Sequence, residues 1–219
     1  MLNLILKDIL VQKRTAIFAL LYSIFLFFAF ARPPFSQFVY SMGAVAISYI
    51  FILTALQADF KNNTIIIMSS LPVKRSEIVS AKYLSMVVFI ALSLMLLTAV
   101  GLLFRVSPLP FDVRYPEFYD LIITFVSVSI LLAVYVPVYF KTGGRWVQIV
   151  YIFFFMLIFF APGAIFNYFM ENPVPFINNI MQFSSENVIM VYLAAVLITL
   201  VVLAVSFICS LKIYLNKDL

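Results

Sequence analysis

The sequence predicts an all-α integral membrane protein, with six transmembrane helices preceded by an N-terminal amphipathic helix at the membrane interface. Three observations predict it. Of 219 residues, 65% are hydrophobic and 11% charged, against roughly 45–50% and about 25% in soluble domains. So apolar a chain is also far from the composition of a disordered one. Six stretches carry no charge at all: 15–31, 38–58, 83–104, 121–140, 146–166 and 188–211. Each is close to the length of about 20 residues that an apolar helix needs to cross a bilayer. The third observation is how the charges are shared between the two sides. With the N-terminus inside, 11 basic and 4 acidic residues fall on the inner side and 3 basic and 5 acidic on the outer, giving +7 and −2. Basic bias sets orientation, so a multi-pass protein of the cell (plasma) membrane is expected, with both termini cytoplasmic. The same bias accounts for the net charge of +5 without a nucleic-acid partner.

Residues 1–14 form the first element. Leu2, Ile5, Leu6, Ile9 and Leu10 recur at helical spacing, while Asn3, Lys7 and Arg14 share another face. A short basic amphipathic helix of this kind lies along the membrane surface. The competing reading is a secretory signal: Lys13-Arg14, an apolar run, then Ala29-Phe30-Ala31. A 14-residue amphipathic lead is unusual for a signal, so 15–31 is expected to stay as the first span. In the fourth span Thr124, Ser127, Leu131 and Tyr135 share one face. Hydroxyls there either join helices, at about 0.6 kcal/mol each, or line a candidate substrate path. Pro137 and Pro162 are expected to bend the fourth and fifth helices. The outer segments 105–120 and 167–187 are rich in Tyr and Phe, as an interfacial aromatic belt is.

Composition also excludes chemistry. The chain has no His and one Cys, hence no intrachain disulfide, no Cys-based metal cluster and none of the usual proton-shuttling imidazole. The apolar stretches hold no ionisable residue of the kind that ion-coupled transporters place within the membrane. Gly43, Gly101, Gly143, Gly144 and Gly163 make no phosphate loop. The chain is therefore expected to be neither an enzyme nor a nucleotide binder, and any driving energy must come from a partner. An ion-coupled carrier or channel acting alone, and a scaffold recruiting a cytoplasmic protein, are the alternatives.

Attention falls on the one long inner loop, 59–82. It opens with Asp59, and Asn62 or Asn63 suits a helix N-cap. Thr64 then leads into the apolar run Ile65, Ile66, Ile67 and Met68. A short helix there stops before Leu71-Pro72, because the residue before proline is pushed out of the α region. Lys74 or Ser76 begins the third long helix, with Arg75 and Glu77 in its first turn. On composition alone two readings stay open: the apolar run tucks into the bilayer interface, or it plugs a groove on a cytoplasmic protein.

The string from Ser70 to Leu84, S-L-P-V-K-R-S-E-I-V-S-A-K-Y-L, resembles the loop between spans two and three of ABC-2-type ATP-binding-cassette transporter permeases, in particular the small six-span bacterial type. Leu2–Asp8 resembles that family's N-terminal elbow helix. Pro137–Arg145 is similar to its turn between spans four and five, but shorter. The likeness covers essentially the whole chain and implies a single permease domain over residues 1–219. It further implies a coupling helix over Asn62–Ser70 that docks on a separate ATPase, with Lys74, Arg75 and Glu77 framing its exit. Two ATPase copies, binding ATP and Mg in their own chains, would serve two permeases, as a homodimer or a heterodimer. Pro173, Pro175 and Phe176 fall where the family has short helices forming an external gate. A hydrophobic or amphipathic cargo is implied, since relatives export peptide toxins and antimicrobial peptides among others, and no charge lines the spans to bind a charged solute.

Overall fold

A computed structural model of the chain describes residues 2–30, 35–62, 74–107, 113–142 and 187–216, together with Thr64, Phe153 and Met156. Most of the described residues are helical: α1 (Leu2–Val11), α2 (Lys13–Phe30), a 3-10 turn at Phe35–Gln37, α3 (Val39–Lys61), α4 (Arg75–Val106), α5 (Phe118–Thr142) and α6 (Val188–Leu215). Five of them, α2 to α6, are long and apolar enough to cross a membrane. They match the first, second, third, fourth and sixth predicted spans. The fifth, 146–166, lies outside the described residues except for Phe153 and Met156, as do Pro162 and the predicted gate at Pro173, Pro175 and Phe176.

Helices overrun the charge-free stretches, furthest at the end predicted to be cytoplasmic. Helix α4 starts at Arg75, eight residues before 83, and α3 continues to Lys61. Backbone hydrogen bonding does not stop where hydrocarbon ends, whereas charge exclusion does. Lys74, in extended backbone, precedes the first turn of α4, which agrees with the predicted start. Of the two N-cap candidates, Asn62 closes the C-terminus of α3, its N–H donating to the Ala58 carbonyl, and Asn63 lies outside the described residues.

Helices α1 and α2 are separated only by Gln12 and keep one register against α3. Lys7 meets Asp59, Gln12 meets Thr54, Leu26 lies beside Gly43 and Phe27 packs on Tyr40. As one index rises the other falls, so α1 and α2 together run antiparallel to α3. At the break, the Gln12 amide donates to the Phe51 carbonyl at 2.7 Å and accepts from Thr54 at 2.6 Å. The amphipathic sense of α1 is the reverse of a soluble helix. Leu2, Leu6 and Leu10 point outward, while Asp8 and Gln12 are buried. Outward-facing leucines suit lipid, and a buried carboxylate must find a cation.

Helix α3 is the most enclosed, and packs with α4 through the buried Ser48–Ser93 hydroxyl pair at 2.6 Å. Small residues let the helices approach. A Cβ on Gly101 of α4 would strike the Tyr40 hydroxyl and the Phe27 ring, and one on Gly43 would crowd Leu26 and Leu97. Gly101→Ala therefore overpacks this junction and is expected to cost about 1–3 kcal/mol, read as a lower thermal midpoint of the detergent-solubilised protein.

Helices α5 and α6 run parallel. Phe118 and Leu121 line one cavity with Ile189 and Tyr192, the Ser206 hydroxyl donates to the Ala133 carbonyl at 2.7 Å, and the Phe140 and Tyr214 rings are 5.0 Å apart. The end of α5 and the start of α6 thus lie at opposite ends of the bundle.

Candidate functional site

The loop singled out by sequence leaves α3 and re-enters at α4, and both roots are built into a buried ionic cluster. Asp59, on the last turn of α3, accepts from Lys7 of α1 at 2.6 Å and pairs with Lys82 of α4. Lys82 donates to both carboxylate oxygens of Asp8 at 2.9 Å. Ser85 adds a hydrogen bond to Asp8 at 3.0 Å. Exposure is 2% at Asp8, 4% at Asp59 and 5% at Lys82. Two carboxylates and two ammonium groups make the cluster neutral, which permits burial at this depth. One cation, Lys82, bridges carboxylates from two other helices, so α1, α3 and α4 are held at a single point.

The re-entry side is tied a second time. Arg75 donates to the carbonyls of Tyr214 and Leu215 at 3.2 and 2.8 Å and lies over the Tyr214 ring. A guanidinium on the last carbonyls of a helix satisfies acceptors that have no intrahelical donor and suits the negative end of its dipole. Two turns further on, the Tyr83 hydroxyl bonds Ser206 at 2.7 Å and Ser210 at 3.0 Å. Ser206 in turn reaches α5. The first three turns of α4 therefore hold α1, α3 and α6 together.

Of the residues expected to meet an ATPase, Asp59 and Arg75 face other helices of this chain. Lys74 is exposed and Glu77 partly so. Thr64 is partly buried, and Asn63, Ile65, Ile66, Ile67, Met68, Leu71 and Pro72 lie outside the described residues. Of the candidate substrate path, Thr124, Leu131 and Tyr135 are buried inside the bundle and Ser127 is half-buried. The Thr124 hydroxyl donates to the Asp120 carbonyl one turn back.

The opposite end carries a second ion pair, between residues whose charges in the sequence point only to topology. Arg114 forks onto Asp120 with two hydrogen bonds of 2.7 Å and also reaches the Gln37 carbonyl at 2.6 Å. Burial works against the Arg114 charge, but the hydrogen bonds and charge of Asp120 outweigh it, so its pKa lies above the ordinary arginine value. Arg114 also lies over the rings of Tyr40 and Tyr119. This clamp joins the start of α5 to the turn before α3. Among the described residues no group of three or more His, Cys, Asp or Glu side chains is placed to hold a metal ion.

Among the described residues, five apolar helices with their charges gathered at the bundle's two ends define a polytopic α-helical membrane protein. Residues 3–215 match the family described as ABC-2 family transporter protein, and the chain belongs to that family. It is thus a transport subunit of a membrane. Neither curated proteins nor solved structures yield a match to this chain.

Proposed function

We propose that the chain is the six-span permease subunit of an ATP-driven exporter, a single domain over residues 1–219 lying in the plasma membrane with both termini cytoplasmic. ATP is hydrolysed by a separate subunit that docks on the 59–82 loop, with Ile65–Met68 as the docking surface. The observation that carries this reading is the ionic cluster. A push on the loop is passed directly to α1, α3 and α4 through Asp59 and Lys82, and to α6 through Arg75. The exposed Lys74 remains free to meet the ATPase.

Support for a sixth span comes from the parallel α5 and α6, since the chain leaves α5 at one end of the bundle and enters α6 at the other. Support for a hydrophobic or amphipathic cargo comes from an apolar cavity of about 350 Å³ at the outer end of α5 and α6, lined by residues such as Phe118, Phe125 and Val196. The burial of Thr124, Leu131 and Tyr135 favours their role as helix contacts over that of a substrate path.

The buried charges also favour, more weakly, an ion-coupled carrier acting alone. Against it, the four charges neutralise one another and sit at the bundle's end rather than at mid-membrane. Assembly separates the two. The exporter reading predicts two permease chains and two ATPases in the purified complex by mass, and a permease that purifies without an ATPase would overturn it.

A further inference from the structure

A cleft of about 600 Å³ opens beside the break between α1 and α2, within the roughly 300–1,000 Å³ of known ligand pockets. Its walls are Ile9 of α1, Phe51 of α3 and Leu92, Met95 and Leu96 of α4, and Lys13 stands at its edge. Gln12 also borders it, but its amide is already hydrogen-bonded to Phe51 and Thr54. We propose that this cleft binds an anionic phospholipid of the surrounding leaflet, one acyl chain against Leu92, Met95 and Leu96 and the phosphate beside Lys13 and Arg14.

Depth and charge together carry the assignment. Counted inward from Phe30 at about 1.5 Å per residue, Lys13 lies near the far edge of a hydrocarbon layer about 30 Å thick. Leu92 and Met95, counted from Val106 in the same way, lie deeper. A headgroup at Lys13 therefore puts its acyl chain at the level of the apolar wall. Lys13 and Arg14 are exposed, and neither takes part in the ion pairs among the described residues, which use Lys7, Lys82 and Arg114. Paired basic side chains at the membrane surface attract anionic lipid. A zwitterionic lipid would fill the apolar wall equally well, but its ammonium offsets its phosphate and leaves the two positive charges without net compensation.

The test uses the full chain with Met95→Trp and Trp146→Phe, Trp146 being the sole tryptophan, in phosphatidylcholine vesicles containing a minor fraction of brominated lipid. Brominated phosphatidylglycerol is expected to quench Trp fluorescence several-fold more than brominated phosphatidylcholine at the same fraction. Lys13→Gln with Arg14→Gln should make the two equal. Both are exposed positions whose change leaves the bundle intact. Equal quenching in the parent, or a preference that survives loss of both charges, would overturn the site. So would weak quenching by either lipid together with disulfide crosslinking between copies through Met95→Cys, which assigns the cleft to a second chain. Native mass spectrometry of the unaltered chain gives an independent reading: retained phosphatidylglycerol supports the site, and no preference over phosphatidylcholine contradicts it.

Discussion

Lys82→Met is expected to destabilise the protein more than any other single change, by about 3–5 kcal/mol. The substitution keeps the length of the side chain and removes the cation that Asp8 and Asp59 share. Two carboxylates then remain buried with only Lys7, which is partly exposed, to balance them. Adding Asp8→Asn or Asp59→Asn to Lys82→Met should recover part of the loss, because each removes an unmatched charge. Thermal unfolding of single and double variants in detergent gives the interaction energy, expected within the range of about 0.5–3 kcal/mol for residues in one network. Additive effects would mean that the three side chains do not act as a unit.

Replacing Ile66 and Ile67 together with Asp is expected to abolish recruitment of the ATPase while leaving membrane insertion unchanged. A docking groove must desolvate that apolar run, and two unpaired carboxylates buried there would cost several kcal/mol. The two basic residues at the loop exit should behave differently from one another. Lys74→Ala removes an exposed charge worth about 0–1 kcal/mol in any rim contact. Arg75→Ala removes the cap on the last carbonyls of α6, so it should lower the thermal midpoint before it weakens the complex. A pull-down of each variant, paired with its melting curve, checks both statements. Full ATPase binding by the double Asp variant would return the apolar run to the alternative in which it only tucks into the bilayer interface.

The helices were legible because a bilayer imposes one strong rule, that charge is excluded over a fixed length. That rule located five helices from their charge-free cores, but said nothing of where they end. Hydrogen bonding carries α4 back to Arg75 and α3 on to Lys61. The ionic cluster was legible in part. Asp59 stands one residue after the second apolar stretch and Lys82 one residue before the third. Two such positions share a membrane depth at the roots of one loop, and their opposite charges point to a pair. Asp8 was harder, because the Leu and Ile periodicity of residues 2–10 reads equally well with its polar side to water or to the bundle. In lipid the apolar side is the outer one, which turns Asp8 inward. Nothing in the spacing of Arg114 and Asp120 indicated their fork, since it depends on how the segment before α5 folds back on its own N-terminus.

Coupling of a separate ATPase to this chain through the 59–82 loop can be measured in a reconstituted system. The most direct measurement is vanadate-sensitive ATP hydrolysis by the permease and ATPase reconstituted together in liposomes. Hydrolysis is expected to rise when the permease is present and to fall to the level of the ATPase alone with the Ile66→Asp, Ile67→Asp permease. Hydrolysis unchanged by the permease, or unchanged by the double substitution, would contradict that coupling.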